Sequence, residues 1–281
     1  MDFEIKIIES GYIMVDGGAM FGAIPKRAWK RKYQSDENNL CRLAMRCILA
    51  ISGDKRILVD LGMGNKHLRE ASYYQPHGLI NIADELNKYG YTKNDITDVV
   101  LSHLHFDHCG GATSKNKDGD TLPAFPNATY HVSKSQWQSF LQPNRLEADS
   151  FFIENMMPVF EAGQLQLINA DALLYDGFEL RLFDGHTAGQ IVPFINSSGN
   201  KIVFAGDVIP TSAHVPLEWI SAYDISALVS IHEKERLLNE LVSHDCTVIY
   251  CHDSTVVSSK IKRLNDNFKA DKLLKSDSSF C

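Results

Sequence analysis

The chain has 281 residues, enough for one large domain or two small ones, and its 44 % apolar and 22 % charged content is that of an ordinary soluble globular protein. A formal net charge of −7 leaves no basic surplus to displace counterions, so nucleic acid is not an expected partner. No stretch approaches the ~20 apolar residues of a membrane span, so no membrane partner is expected either. Met1-Asp2-Phe3-Glu4-Ile5-Lys6 shows no basic region followed by an apolar one, as a secretory leader would. Cys41, Cys47, Cys109, Cys246, Cys251 and Cys281 form no Cys-x-x-Cys pair. The expectation is a cytoplasmic protein with reduced, mostly buried thiols.

In chain order, Phe3, Ile5 and Ile7 alternate along a half-buried strand from Phe3 to Ile8, with Gly11 to Val15 expected to pair with it as a hairpin. Asp16 to Asn39 is irregular, carrying Gly17, Gly18, Met20, Phe21, Gly22, Pro25, Trp29 and Tyr33 among charges, and reads as a flap near a pocket. Its basic run, Lys26-Arg27 and Lys30-Arg31-Lys32, reads as solvated surface. Leu43–Ile51 and Arg56–Leu61 are two strands around the turn Ser52-Gly53-Asp54. After them, Asp60 opens the glycine-rich turn Leu61-Gly62-Met63-Gly64, where it is expected to fix a neighbouring loop rather than act as a ligand. Helical spacing runs from Gly78 to Tyr89 and stops at Gly90. Ile96–Leu101 and Ala128–Val132 are strands, with His131 in the strand wall, and Ser133 caps a helix reaching about Phe140. A helix over Asp149–Phe160 is expected to break near Met157-Pro158. Gln164–Ile168, Phe178–Leu182, Gln190–Ile195 and Lys201–Ala205 form a second series of strands. Asp224 opens an amphipathic helix with Ile225, Leu228, Val229, His232, Leu237, Leu238 and Leu241 along it, Thr247–Cys251 is a last buried strand, and the polar tail after Lys260 is read as a surface helix. No linker divides the chain, so 1–281 is expected to be a single α+β domain with two stacked sheets.

The chemistry concentrates in Leu101-Ser-His-Leu-His-Phe-Asp-His-Cys-Gly-Gly111. His103 and His105 are two apart and point the same way in extended chain, as does Asp107 from His105, while His108 is turned elsewhere. Neutral imidazole and carboxylate are ligands for zinc and similar first-row ions. Three later strand ends carry groups of the same kind: His186 in a glycine-bracketed turn, Asp207 after Ile202-Val203-Phe204-Ala205-Gly206, and His252 after Val248-Ile249-Tyr250-Cys251. Seven ligand-type groups at loop mouths make a metal site.

This pattern resembles the metallo-β-lactamase superfamily over roughly residues 43 to 255, through the loop of His103, His105, Asp107 and His108 and the order of His186, Asp207 and His252. The resemblance implies a four-layer αββα sandwich and a binuclear hydrolase using a bridging hydroxide, with two divalent metal ions, zinc favoured. It further implies His103, His105 and His186 on one metal, Asp107, His108 and His252 on the other, Asp207 between them, and Asp107 and Asp207 as the catalytic carboxylates. Asp60 and Asp253 are expected to fix ligand imidazoles from behind. The chain is most similar to quorum-quenching N-acyl homoserine lactonases, through Leu104 to His108 with the Gly-Gly that follows, Leu58 to Met63, and Met20-Phe21. The substrate implied is a small lactone or ester, with Met20 and Phe21 lining an acyl pocket. An organophosphate or arylester hydrolase on the same site is the alternative, and a non-catalytic metal-binding protein a more distant one. Such lactonases place a tyrosine shortly after the bridging aspartate; here Val208-Ile209-Pro210-Thr211 follows, leaving Tyr223 or His214 to take its place. The oligomeric state is open, a homodimer included.

Overall fold

The computed structural model describes residues 1–275, so Cys281 lies outside the described residues. A six-stranded sheet runs in the order Glu4–Asp16, Leu40–Ser52, Lys55–Val59, Asp98–Val100, Thr129–Ser133, Leu165–Ile168. A seven-stranded sheet runs Asn267–Lys275, Val256–Leu264, Thr247–Ile249, Asn200–Phe204, Gln190–Ser197, Phe178–Phe183, Ala172–Tyr175.

Side-chain alternation sorts the residues into layers. Ile57, Val59 and Val100 of the first sheet meet Ile191, Ile202, Phe204 and Ile249 of the second in the central core. Leu58 and Val99 point the other way, onto Leu86 and onto Trp137 and Phe140 of the helix Lys134–Leu141. On the far side Val192, Phe194, Val203 and Val248 pack on Leu237, Leu238 and Leu241 of the helix Ala227–Ser243. The result is the expected helix–sheet–sheet–helix sandwich. Among the described residues no helix is long and apolar enough to cross a membrane.

Parallel pairing brings the chemistry to one end. Val59 pairs with Val100 and Phe204 with Ile249, so Asp60, the loop after Leu101, Asp207 and His252 all leave their sheets at the same edge. Buried Arg46 locks the two sheets there, donating to Glu9, to the Tyr250 carbonyl and to the Asp253 carbonyl at 2.8 Å.

Several elements differ from expectation. The N-terminal segment is one strand, Glu4–Asp16, rather than a hairpin; its register shifts between Glu9 and Tyr12, and Gly11 at φ 140° lets the backbone pass against Leu79. The helix after Gly78 begins only at Ile82, capped by Asn81, and continues as a 3-10 turn over Leu86–Tyr89. Pro158 opens the helix Met157–Glu161 instead of breaking one, because proline's missing N–H costs nothing in a first turn. Leu165–Ile168 joins the first sheet beside Thr129–Ser133, not the second series. The long helix starts at Ala227, and its Leu228 and Val229 are exposed while Ser230 and Lys234 are buried. Beyond Lys260 the chain forms two antiparallel strands rather than a helix, turning through Asn265 at φ 54°.

Candidate metal centre

Each expected ligand stands where its strand ends, and the ligand atoms converge. His103, His105 and His186 form one group whose ligand atoms all lie within 4.8 Å of one another; Asp107, His108 and His252 form a second, and Asp207 joins His103 and His108 in a third. His108 Nε2 stands 3.1 Å from His252 Nε2, and His105 Nδ1 stands 3.3 Å from His186 Nε2. Asp207 spans both groups, with Oδ1 at 3.1 Å from His252 Nε2 and Oδ2 at 3.3 Å from His186 Nε2.

The far side of each ring decides which nitrogen is bare. His108 Nδ1 donates to Asp60 Oδ2 at 2.7 Å, His186 Nδ1 to Asp224 Oδ1 at 2.9 Å and His252 Nδ1 to the Ala44 carbonyl at 2.7 Å. These partners only accept, so the proton sits on Nδ1 and the Nε2 lone pair faces inward. His103 Nδ1 lies 3.0 Å from Ser102 Oγ, and its buried Nε2 has no hydrogen-bond partner, nor has His105 Nε2.

Buried lone pairs aimed at one another, with unpartnered nitrogens among them, are stable only around positive charge. The carboxylates set the same demand. Burial opposes charge at His108, His186 and His252, yet Asp207 holds all three imidazoles above their ordinary range, joined by Asp107 at His108 and His252 and by Asp224 at His186, with His252 raised to about 9. At His103 burial wins, helped by His108 and His105, and the ring is held well below. Asp207, despite its burial, is held well below the usual carboxylate range by His252, His186 and His108. Five imidazoles and two carboxylates therefore fit divalent cations of the zinc type.

The outer partners are only partly those expected. Asp60, at φ 57°, accepts from the Ser102 N–H at 2.7 Å and hydroxyl at 2.8 Å as well as from His108, and so fixes the loop. Asp253 does not face an imidazole; it caps its own turn, accepting from Ser212 N–H at 2.9 Å and Val256 N–H at 2.8 Å. The role expected of it falls to Asp224 and the Ala44 carbonyl. Asp224, expected to open the long helix, lies ahead of it and instead serves a histidine 38 residues away. Cys109 and Cys251 are buried as expected, but the Cys251 thiol also donates to Asp207 Oδ1 at 3.1 Å.

The pocket over the ligands is walled by Ile13, Val15, Met20, Leu43, Tyr74, Phe106, Leu146 and Tyr223. Met20 lines this pocket. Phe21 lies behind this wall, fully buried and stacked on Trp29 at 5.0 Å and His214 at 4.7 Å. Residues 16–39, expected to be irregular, include two short helices, Gly17–Phe21 and Lys26–Trp29, and Phe21, Trp29 and Tyr33 serve as the core of the segment.

His214 is likewise turned away from the pocket. Its Nε2 donates to the Met20 carbonyl at 2.9 Å and its Nδ1 accepts from Thr211 Oγ1 at 2.7 Å. Burial pushes the imidazole down to about 4. Between pH 6.5, where an unfolded histidine titrates, and about 4, the unfolded chain binds a proton that the native chain refuses. This contribution is therefore complete above pH 6.5 and is lost as the pH falls, by up to about 3 kcal/mol. Melting temperatures across that window are expected to fall less steeply in His214→Gln; parallel curves would refute the assignment.

A profile described as Metallo-beta-lactamase superfamily matches residues 46–252. N-acyl homoserine lactonase AiiA of Bacillus thuringiensis subsp. kurstaki is 26 % identical over 205 residues, covering 69 % of this chain and 70 % of its own. Among solved structures, a probable metal-dependent hydrolase from Staphylococcus aureus superposes with TM-score 0.89 at 28 % identity, covering 99 % of both chains. AidC, described as a dizinc quorum-quenching lactonase in complex with a product, superposes with TM-score 0.77 at 21 % identity over 100 % of this chain and 98 % of its own.

Proposed function

The chain belongs to the metallo-beta-lactamase superfamily and is a metal-dependent hydrolase, and on that premise we propose that it opens the ring of an N-acyl homoserine lactone or a related neutral ester. The ligands we assign are His103, His105 and His186 for one divalent ion and Asp107, His108 and His252 for a second, with Asp207 shared and zinc the favoured metal. The observation that carries the substrate class is the pocket wall. It is apolar along one side, and among the described residues no lysine or arginine lines it. A phosphate monoester or other dianion would find no cationic side chain there besides the ions themselves, whereas an acyl chain buries apolar surface at about 25 cal/mol per Å². The lactonase relatives give the same direction.

Two divalent ions held by these residues would lower the pKa of a water between them toward neutrality and would polarise the carbonyl to be attacked. The chain's own residues do the rest. Asp107, at the pocket floor, takes the proton of the attacking water and returns it to the alkoxide oxygen that leaves when the ring opens. Met20, Leu43 and Phe106 hold the acyl chain, with segment 16–39 as the flap that carries Met20. Tyr223, on the wall, is the phenol available to the carbonyl oxygen in place of the tyrosine missing after Asp207.

The test is turnover by metal-reconstituted protein of acyl homoserine lactones of graded chain length, beside an aryl ester and a paraoxon-type phosphotriester. Lactones are expected to react fastest, with preference rising with chain length; faster turnover of the phosphotriester would overturn the assignment. Tyr223→Phe is expected to lower kcat by up to about 100-fold with its melting temperature unchanged. An unaltered kcat would remove the phenol from the mechanism.

A further inference from the structure

Four of the five imidazoles have a partner on the nitrogen that faces away from the centre: Ser102 for His103, Asp60 for His108, Asp224 for His186 and the Ala44 carbonyl for His252. His105 is the fifth. Its Nδ1 faces His186 Nε2, so a neutral ring with a bare Nδ1 must carry its proton on Nε2. The group 3.4 Å from that Nε2 is Oε2 of Glu147, a carboxylate 2 % exposed that plays no part in the ligand set. The contact is close enough for a charge pair but is not aligned as a hydrogen bond.

Glu147 is itself held on both oxygens. Its Oε1 accepts from Asn144 Nδ2 at 2.5 Å, and its Oε2 accepts from the Thr187 hydroxyl, the neighbour of His186 in the chain. Gln136 Nε2 in turn donates to Thr187 Oγ1 at 3.2 Å. Burying a carboxylate costs several kcal/mol unless it is paired, so a residue needed only for packing would not be ionised here. The arrangement places one anion beside the outer nitrogen of His105 and, through Thr187, beside the turn that carries His186.

We propose that Glu147 is a positioning residue for the centre: it fixes the Nε2-protonated form of His105, so that Nδ1 faces His186, and through Thr187 it holds the His186 turn in register with it. The proposal rests on the two-ion reading above and concerns only the group of His103, His105 and His186.

The test is zinc affinity, measured by competition with a chromophoric chelator, for wild type, Glu147→Ala, Glu147→Gln and Thr187→Val. Glu147→Ala is expected to weaken one of the two equivalents by roughly 10–100-fold and to leave the other within about 2-fold. Glu147→Gln, whose amide oxygen still accepts from the ring, loses less. Thr187→Val keeps the carboxylate but frees it, and falls between wild type and alanine; it decides the matter if Glu147→Ala fails to fold. Cobalt-substituted Glu147→Ala is expected to show an altered d–d spectrum, which a packing defect away from the ligands would not produce. Two unchanged equivalents, or equal weakening of both, overturn the proposal. Wild-type protein that binds two ions yet opens no lactone would remove the functional reading and leave this one standing.

Discussion

Replacing His105 by alanine is expected to abolish turnover and to lower bound metal from two equivalents per chain to one. The backbone of residue 105 has a separate task that alanine keeps: its carbonyl accepts from the His108 N–H at 3.0 Å and the Cys109 N–H at 3.1 Å, closing the short helix Phe106–Cys109. The loop therefore still forms, and His108 still reaches Asp60. What is lost is one of three nitrogens in its group, leaving His103 and His186 with Asp207 nearby. Two imidazoles and a shared carboxylate leave a site one protein ligand short, and the affinity falls accordingly. The activity loss is expected to be at least about 10³-fold, the scale on which a group acting directly on developing charge is felt. Metal analysis beside turnover and a melting curve separates loss of the ion from loss of the fold. Full activity in this variant would refute the centre.

The residues we assign as ligands stand out in the sequence because each follows an apolar strand, and strand ends are where an α+β sandwich exposes chemistry. Asp60 was legible for the same reason, from its place between Val59 and a glycine-rich turn. The residues behind the ligands were not. Asp224 and Glu147 act across 38 and 42 residues of chain on His186 and His105, and neither sits in a local pattern that marks it. Asp253, adjacent to His252, drew attention by proximity alone, although successive residues leave an extended chain on opposite sides. The C-terminal strands were missed because their exposed positions carry lysine and arginine, which masks the alternation of an edge strand. The usable signal was Asn265-Asp266, a two-residue turn between runs of similar length. The segment 16–39 shows a different limit. Aromatic residues in an irregular stretch read equally as surface or as anchor, and Trp29, Phe21 and Tyr33 turned out to be its core. Their burial leaves Met20 to line the pocket, a distinction of one position that no composition reveals.

Asp60→Ala is expected to damage stability and metal binding together, and the coupling is what distinguishes it from a core defect. The carboxylate serves three donors in the protein interior: the Ser102 N–H, the Ser102 hydroxyl and His108 Nδ1. Breaking a buried charge pair by removing one partner costs about 3–5 kcal/mol, because the donors left behind have no water to turn to. Asp60 also sits at φ 57°, where a β-carbon with no side-chain hydrogen bond has nothing to offset the strain. For a chain of this size the melting temperature is expected to fall by roughly 10 °C. Without the Asp60 acceptor the proton on His108 is free to move to Nε2, the nitrogen that faces His252 and Asp207. Affinity for the ion held by Asp107, His108 and His252 is therefore expected to drop by about 10–100-fold. Asp60→Asn sharpens the test. Its carbonyl oxygen keeps one acceptor for Ser102, so stability is expected to recover in part, while the lost charge leaves the metal affinity low. Equal recovery of both, or a stability loss with unchanged affinity, would show that Asp60 holds the loop without setting the proton on His108.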